Sequence, residues 1–208
     1  VQNGRITSAT NVNYDAGTTI GINNTITNSG TVAIDSTGIT TIASAGDIIS
    51  GGAVTFGGAL TGTLTTSGDI DTTDDNITFT RAVTLAGAVD IDTTGTGAGN
   101  ILFTSTIATA GNNLTLDAGP AGNITLSGAL TGGGNFVVRD GVVQSYQALT
   151  VNSLNIQDAT TSITFGGAIA ATTTVDVVSG GVVNINNTIT TGGTVNIDST
   201  GVTTIASA

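Results

Sequence analysis

The chain has 208 residues, a net charge of −11 and no cysteine, and its 14 acidic residues are all aspartate. Three arginines without any lysine cannot form the basic cluster that phosphate binding needs, so we expect no nucleic-acid partner. No apolar run is long enough for a membrane-spanning helix, so we expect no membrane insertion. Thr, Val, Ile and 31 glycines replace the strong helix formers, which predicts an all-β chain.

Residues 1 to 19 predict a partial coil that ends in a turn, after which one pattern keeps returning. It consists of an apolar residue, any residue, an apolar residue, two small residues, Ala or Thr, and an apolar residue. The copies are IGINNTI from Ile20, VTFGGAL from Val54, ITFTRAV from Ile77, ILFTSTI from Ile101, ITLSGAL from Ile124, ITFGGAI from Ile163 and VNINNTI from Val183. Weaker copies begin near Ile39 and Val142, and all the starts lie 15 to 24 residues apart.

A second strand follows most copies after roughly 12 residues, in the form Val-x-Ile-Asp, as in VAID from Val32 and VNID from Val195. Two or more period-two strands per coil, joined by Gly, Ser, Thr and Asn turns, are typical of a solenoid. We therefore predict a single right-handed parallel β-helix over residues 1–208, with coils of about 20 residues and nine or ten coils.

Stacking of these coils predicts two inward-facing columns of apolar side chains. The third pattern position gives Ile22, Phe56, Phe79, Phe103, Leu126, Phe165 and Ile185. The seventh gives Ile26, Leu60, Val83, Ile107, Leu130, Ile169 and Ile189. Neighbours in each column should lie one strand spacing, about 4.8 Å, apart.

A much larger repeat overlies the coils. The segment 22–45 returns almost unchanged as 185–208, an offset of 163 residues that we interpret as eight coils. Such a repeat predicts a segment of a longer array. Neither end carries a helix or a polar cap, so we expect coils to continue by covalent repetition or end-to-end contact, with Ala208 followed by residues like those after Ala45.

The GNNLTLDAG and GNITLSGALT phrases at 111–119 and 122–131, together with the 20-residue period, resemble the filamentous haemagglutinin-like bacterial surface proteins and autotransporter passengers. That resemblance implies a long β-helical architecture and an extracellular, cell-surface setting. It implies no site residues. The family's Asn-Pro-Asn-Gly type secretion motif does not occur, and Pro120 is the single proline.

Aspartates recur at the ends of the second strands, at gaps that follow the coil spacing. They are Asp71, Asp92, Asp117, Asp140 and Asp158, with Asp35 and Asp198 at the matching place in the large repeat. Stacking predicts one column of carboxylates, which repel one another unless they are solvated, protonated or neutralised by cations. Either each Asp bonds its own turn, the simpler interpretation, or Ca²⁺ bridges neighbouring coils.

Catalytic residues are scarce, because His, Cys, Lys and Glu are absent. The one enzymatic alternative is a polysaccharide-cleaving site built on Asp74 and Asp75 beside Arg81; we favour a polar turn there and predict no enzyme. Thr61-Gly62-Thr63 resembles an ice-binding face, although the outward positions vary among Thr, Asn, Asp and Ser.

These observations leave three hypotheses open. The first is a structural segment of a secreted bacterial surface fibre, sheath or adhesin stalk, whose main partner is itself. The second is a solenoid face that binds carbohydrate, including a surface polysaccharide, or ice. The third is a polysaccharide-degrading β-helix enzyme. Regular outer faces would favour the second, and a carboxylate cluster in a groove the third.

Overall fold

The computed structural model describes residues 1–93 and 95–206. These residues form three parallel sheets of 10, 10 and 9 strands, and successive strands fall on the first, second and third sheet in turn. Aligned residues of neighbouring coils are 18 to 25 positions apart, as from Phe136 to Leu154 and from Val89 to Leu114. The predicted fold class, an all-β parallel β-solenoid with coils of about 20 residues, is confirmed.

The first sheet contains the strand that opens each coil. With strands numbered in chain order, it consists of β1 (Ile6–Ser8), β4 (Ile26–Asn28), β7 (Ile48–Ser50), β10 (Ile70–Thr72), β13 (Val89–Asp92), β16 (Leu114–Asp117), β19 (Phe136–Val138), β22 (Leu154–Ile156), β25 (Val175–Ser179) and β28 (Val195–Ser199).

The second sheet follows it in every coil. It consists of β2 (Val12–Ala16), β5 (Val32–Ser36), β8 (Val54–Phe56), β11 (Ile77–Phe79), β14 (Ile101–Phe103), β17 (Ile124–Leu126), β20 (Val143–Tyr146), β23 (Ser162–Phe165), β26 (Val182–Ile185) and β29 (Thr203–Ile205).

The third sheet closes each coil. It consists of β3 (Ile20–Ile22), β6 (Thr40–Ile42), β9 (Leu64–Thr66), β12 (Val83–Leu85), β15 (Ile107–Ala108), β18 (Leu130–Thr131), β21 (Leu149–Val151), β24 (Ile169–Ala171) and β27 (Ile189–Thr191). One 3₁₀ turn, Gly119–Ala121, is the helical element of the described residues, among which there is no helix that could span a membrane.

Most strands are three residues long and point their first and third side chains into the core. On the second sheet this alternation stacks Phe56, Phe79 and Phe103 in register. The Phe56 and Phe79 ring centroids are 5.0 Å apart and those of Phe79 and Phe103 are 4.2 Å apart, with planes within 5° of parallel in both pairs. The stack gives the narrow core its largest apolar side chains.

The two predicted core columns are right for the later coils and wrong for the first ones. Ile22 lies on the third sheet, and Ile34 is the residue that stacks under Phe56. Ile26 lies on the first sheet. Leu60 falls in a loop, and Leu64 takes its predicted place beside Val83. A three-residue strand carries too little pattern to reveal which sheet it joins.

The large repeat does not return to the same sheets. Strands β4, β5 and β6 of the first copy lie on the first, second and third sheets, whereas the matching β27, β28 and β29 lie on the third, first and second. In the described chain β3 and β26, which hold Ile22 and Ile185, are 23 strands apart. With three strands per coil the 163-residue offset is 7⅔ coils, so our interpretation of it as eight coils is wrong.

The last described coil exposes side chains that are buried in the first copy. Val195 and Ile205 are 47% and 69% exposed, but their equivalents Val32 and Ile42 are each 1% exposed. In the first copy the coil of β7, β8 and β9 covers them. This sequence therefore forms an apolar stacking edge that another coil can cover.

Candidate functional site: an acidic stripe on the first sheet

Six half-buried aspartates share the outer face of the first sheet over four successive coils. We call this group the acidic stripe; its members are Asp47, Asp69, Asp71, Asp90, Asp92 and Asp117. They lie outward because each flanks or alternates with a buried residue of its strand, as Asp71 follows Ile70. The stripe concentrates negative charge on one face of the solenoid.

The stripe has two columns, and the residues of the first, Asp47, Asp69 and Asp90, are joined by hydrogen bonds from backbone amides. The amide of Asp69 donates to Oδ1 of Asp47 at 3.0 Å, and the amide of Asp90 donates to Oδ1 of Asp69 at 2.8 Å. Each carboxylate therefore accepts a bond from the next coil. This use of Asp to join coils, rather than to bond its own turn, was not predicted from the sequence.

The second column consists of Asp71, Asp92 and Asp117, which are in register on neighbouring strands. Burial raises the pKa of Asp71 to about 6, with further increases from the charges of Asp92, Asp69, Asp90 and Asp47. Burial is also the main cause that raises the pKa of Asp117, while the amide of Gly119, at 3.0 Å from its Oδ1, opposes it. That Gly119 contact confirms the turn-bonding role for Asp117.

The other two predicted members do not continue this column. Leu116 pairs with Val138, so the position after Asp117 in the column belongs to Arg139 rather than to Asp140. The guanidinium of Arg139 contacts Oδ2 of Asp90 at 2.8 Å. Asp140 is one residue further along, where its carbonyl accepts the amide of Ala118, and Asp158 aligns with it. The single five-residue carboxylate column is therefore wrong.

The two aspartates of the large repeat are also on different sheets. Asp35 lies on the second sheet, in register with Asp15, and Asp198 lies on the first, in register with Val178. Within the part of the chain that the structure describes, no group of three or more acidic side chains is arranged to hold a metal ion. Calcium binding therefore stays a prediction.

We expect millimolar Ca²⁺ to raise the unfolding midpoint, because a divalent cation near the stripe relieves repulsion among its carboxylates. A gain of about 1 kcal/mol would raise the midpoint by about 2–4 °C for a chain of this size. Thermal melts with Ca²⁺, with chelator, and with NaCl at matched ionic strength measure it. An effect equal to that of NaCl would mean screening alone and would remove calcium as a cofactor.

The pH dependence of stability follows from the raised pKa of Asp71. A carboxyl whose folded pKa is about 6, above its usual value, stabilises the fold below the unfolded pKa and loses that contribution as pH rises through about 6. We expect the midpoint to fall between about pH 4 and pH 7, and Asp71→Asn to restore about 1 kcal/mol at pH 8, with allowance for solvent screening.

The control for that variant is Asp198→Asn. Asp198 is an exposed aspartate on the same sheet whose register partner is the uncharged Val178. Its substitution removes one carboxylate outside the acidic stripe, so the comparison separates the loss of net charge from the loss of Asp71. Equal pH profiles for wild type and Asp71→Asn would contradict the prediction.

In the enzymatic alternative, Asp74 and Asp75 stand beside Arg81, but the ion pair that Arg81 forms is with another aspartate. Asp74 lies in the turn between β10 and β11, where its Oδ1 accepts the amide of Gly97. Arg81 follows β11, is 6% exposed, and pairs with Asp35 at 2.5 Å instead. Its second amino group donates to Oγ of Ser36 at 3.2 Å. Arg81 therefore joins coils inside the stack, a role its place in the sequence did not reveal.

A ladder of asparagines runs along the edge of the second sheet. The backbone and side-chain amides of Asn100 both donate to Oδ1 of Asn76 at 2.9 Å, and those of Asn123 donate to Oδ1 of Asn100 at 2.9 and 3.0 Å. The sequence contained the signal, since each of these residues directly precedes an Ile that opens a strand. The ladder satisfies backbone donors at the coil corner.

A single outward column of threonines runs along the third sheet. Its members are Thr41, Thr65, Thr84, Thr131, Thr150 and Thr190, with Ala108 and Ala170 between them. Thr61 and Thr63 belong to the loop after β8. The aromatic side chains all face the core: six are buried and Tyr14 packs against it. The outer faces therefore lack aromatic stacking surfaces and present hydroxyls, amides and carboxylates together with single aliphatic side chains such as Ile49 and Val143.

The three stacked sheets and their recurring coils define the chain as a parallel β-solenoid repeat protein. No family model, curated protein or solved structure matches it.

Proposed function

We propose that this chain is a structural repeat segment of a long, secreted bacterial surface fibre, sheath or adhesin stalk, and that it has no catalytic activity. The observation that carries the proposal is the repeat of 22–45 at 185–208 along one uninterrupted stack of coils. Every described coil rests on its neighbours through parallel strand pairing. Such a stack extends a surface over distance, which is a mechanical task.

The main partner in this proposal is another coil of the same kind. The edge formed by β27, β28 and β29 has the sequence of β4, β5 and β6, which a further coil covers in the first copy. Covalent continuation and end-to-end contact both meet this requirement. Surface polysaccharide is a further partner that hydroxyl- and amide-rich faces can contact through hydrogen bonds.

The experiment is surface labelling of intact bacteria that express the parent gene, with an antibody raised against residues 1–208. We expect filamentous label on unpermeabilised cells and loss of that label after external protease treatment. Label that appears only after permeabilisation would overturn the extracellular location. Diffuse label without filaments would overturn the fibre.

The exposed edge also predicts self-association of the isolated 208-residue chain. We expect oligomers that grow with concentration in light scattering after size exclusion, because Val195 and Ile205 present apolar surface at an unpaired strand edge. Ile205→Asp should shift the distribution towards monomer. The matched control is Val143→Asp, an exposed apolar residue of the inner coils, which should not. A monodisperse monomer at all concentrations would contradict the prediction.

A second candidate function is a carbohydrate- or ice-binding face, which the threonine column of the third sheet favours. Regular hydroxyls at one strand spacing, about 4.8 Å, form a repeating donor and acceptor row. Thermal hysteresis and glycan binding test it, with Thr84→Lys in the column and Thr78→Lys on the second sheet as the control. Activity that both variants retain equally would exclude this face.

A further inference from the structure

The two copies of one sequence, 22–45 and 185–208, occupy different positions around the solenoid. Thr27 and Thr190 are equivalent residues of the two copies, yet Thr27 lies on the first sheet and Thr190 on the third. Ala33 and Asn196 are equivalent too, and they lie on the second and first sheets. All three strands of the second copy lie one sheet away from their equivalents in the first copy, which excludes a register shift of a single strand.

The three sheets can contain the same strands because the pattern of buried side chains is the same on each sheet. Each takes a short strand with inward first and third side chains, and Ile or Val fills such positions on every sheet. The five-residue strand β5 pairs with β2 over its whole length, and β28 pairs with β25 in the same way on another sheet. Nothing in this segment therefore ties it to one face.

We infer that each 163-residue unit of the array is rotated by one sheet relative to the unit before it, so that the acidic stripe faces three directions in turn. This inference rests on the proposed function, in which such units follow one another. A strand that lies 23 strands after one on the first sheet belongs to the third sheet. In the same way, the equivalent of a third-sheet strand lies on the second sheet, and the equivalent of a second-sheet strand lies on the first. Three units, or 69 strands, restore the original face.

The rotation determines how a fibre meets its surroundings. At one strand spacing per coil, a unit of 7⅔ coils advances about 37 Å along the axis, and the stripe returns to the same face after about 110 Å. If all units were in phase, the negative charge would run along one side of the fibre. With the rotation it is spread around the axis, so cationic partners or cation-bridged fibres can approach from three sides and build a bundle instead of a flat sheet.

Spin-label distances on the existing chain test the rotation, since the chain has no native cysteine. The equivalent pair Thr27→Cys and Thr190→Cys lies on different sheets, whereas Thr27→Cys and Asp198→Cys lie in one outer column eight coils apart. We expect about 38 Å for the one-column pair. The equivalent pair should give a longer distance, because the lateral offset to a second face outweighs a rise that is smaller by one third of a coil.

A second set of labels keeps the test independent of any one substitution. Ala33→Cys with Asn196→Cys repeats the equivalent pair, and Ala33→Cys with Thr204→Cys repeats the one-column pair on the second sheet. The reverse order of distances in both sets, with the equivalent pair shorter, would overturn the rotation and leave the fibre proposal standing. Failure of surface labelling would remove the fibre and leave these distances unchanged.

Discussion

Phe79→Asp is expected to lower the free energy of unfolding of the central coils by at least about 4 kcal/mol. Phe79 is fully buried, and its ring lies between those of Phe56 and Phe103. The substitution removes a large apolar side chain and places a carboxylate where no counter-charge is available. Hydrogen exchange should show the loss of protection concentrated in β8, β11 and β14, because solenoid coils contact only their neighbours.

Phe79→Leu is the control, since Leu126 fills the same column two coils further on. It keeps an apolar side chain in the core and should cost much less, about 1–2 kcal/mol. Uniform loss of protection along all coils after Phe79→Asp would show one cooperative unit and contradict the stacked-coil account of stability.

Period-two alternation was enough to predict the fold class, because it survives in strands of only three residues. Ile77-Thr78-Phe79 and Ile101-Leu102-Phe103 also revealed their mutual register, since aromatic residues mark one column. Ile22 carried no such mark. Its IGI strand fits any of the three sheets, and coil lengths that vary from 18 to 25 residues prevent the sheet from being deduced by counting along the chain.

The acidic stripe was half predictable for a related reason. Asp92 and Asp117 end their strands, Asp71 is one residue before the end of its own, and the three are in register, so their spacing revealed the column. Asp140 is two residues after the buried Val138, whereas Asp117 directly follows Leu116, with which Val138 pairs. Arg139 therefore occupies the column position and Asp140 lies outside it. Asp47 and Asp69 precede their strands, and a pattern based on strand ends did not include them.

Arg81 was beyond prediction because its partner lies 46 residues away and two coils below. A charged residue after a strand is normally solvent-exposed, but here the loop between β8 and β9 folds over the guanidinium. In that loop the amide of Leu60 donates to Oδ2 of Asp35 at 3.2 Å. The carboxylate thus holds both the loop and the arginine, which makes this pair a structural joint between three coils.

Asp35→Asn is accordingly expected to destabilise the chain by about 3–5 kcal/mol, the usual effect of leaving one buried charge without its partner. The Arg81 side chain is 4% exposed, so water cannot replace the lost carboxylate. Chemical denaturation of the variant measures the effect. The double variant Asp35→Asn with Arg81→Met should recover much of the loss, because it removes the unpaired charge as well.

Asp90→Asn provides the matched comparison, since Asp90 also pairs with an arginine but in a solvated place. The Arg139 side chain is 45% exposed, and an exposed pair of this kind contributes at most about 1 kcal/mol. The two Asp→Asn variants therefore differ in the burial of the arginine left behind. Equal losses for both, or a double variant no more stable than Asp35→Asn alone, would show that burial of Arg81 does not determine the effect, and the loop contact through Leu60 would then be the dominant contribution of Asp35.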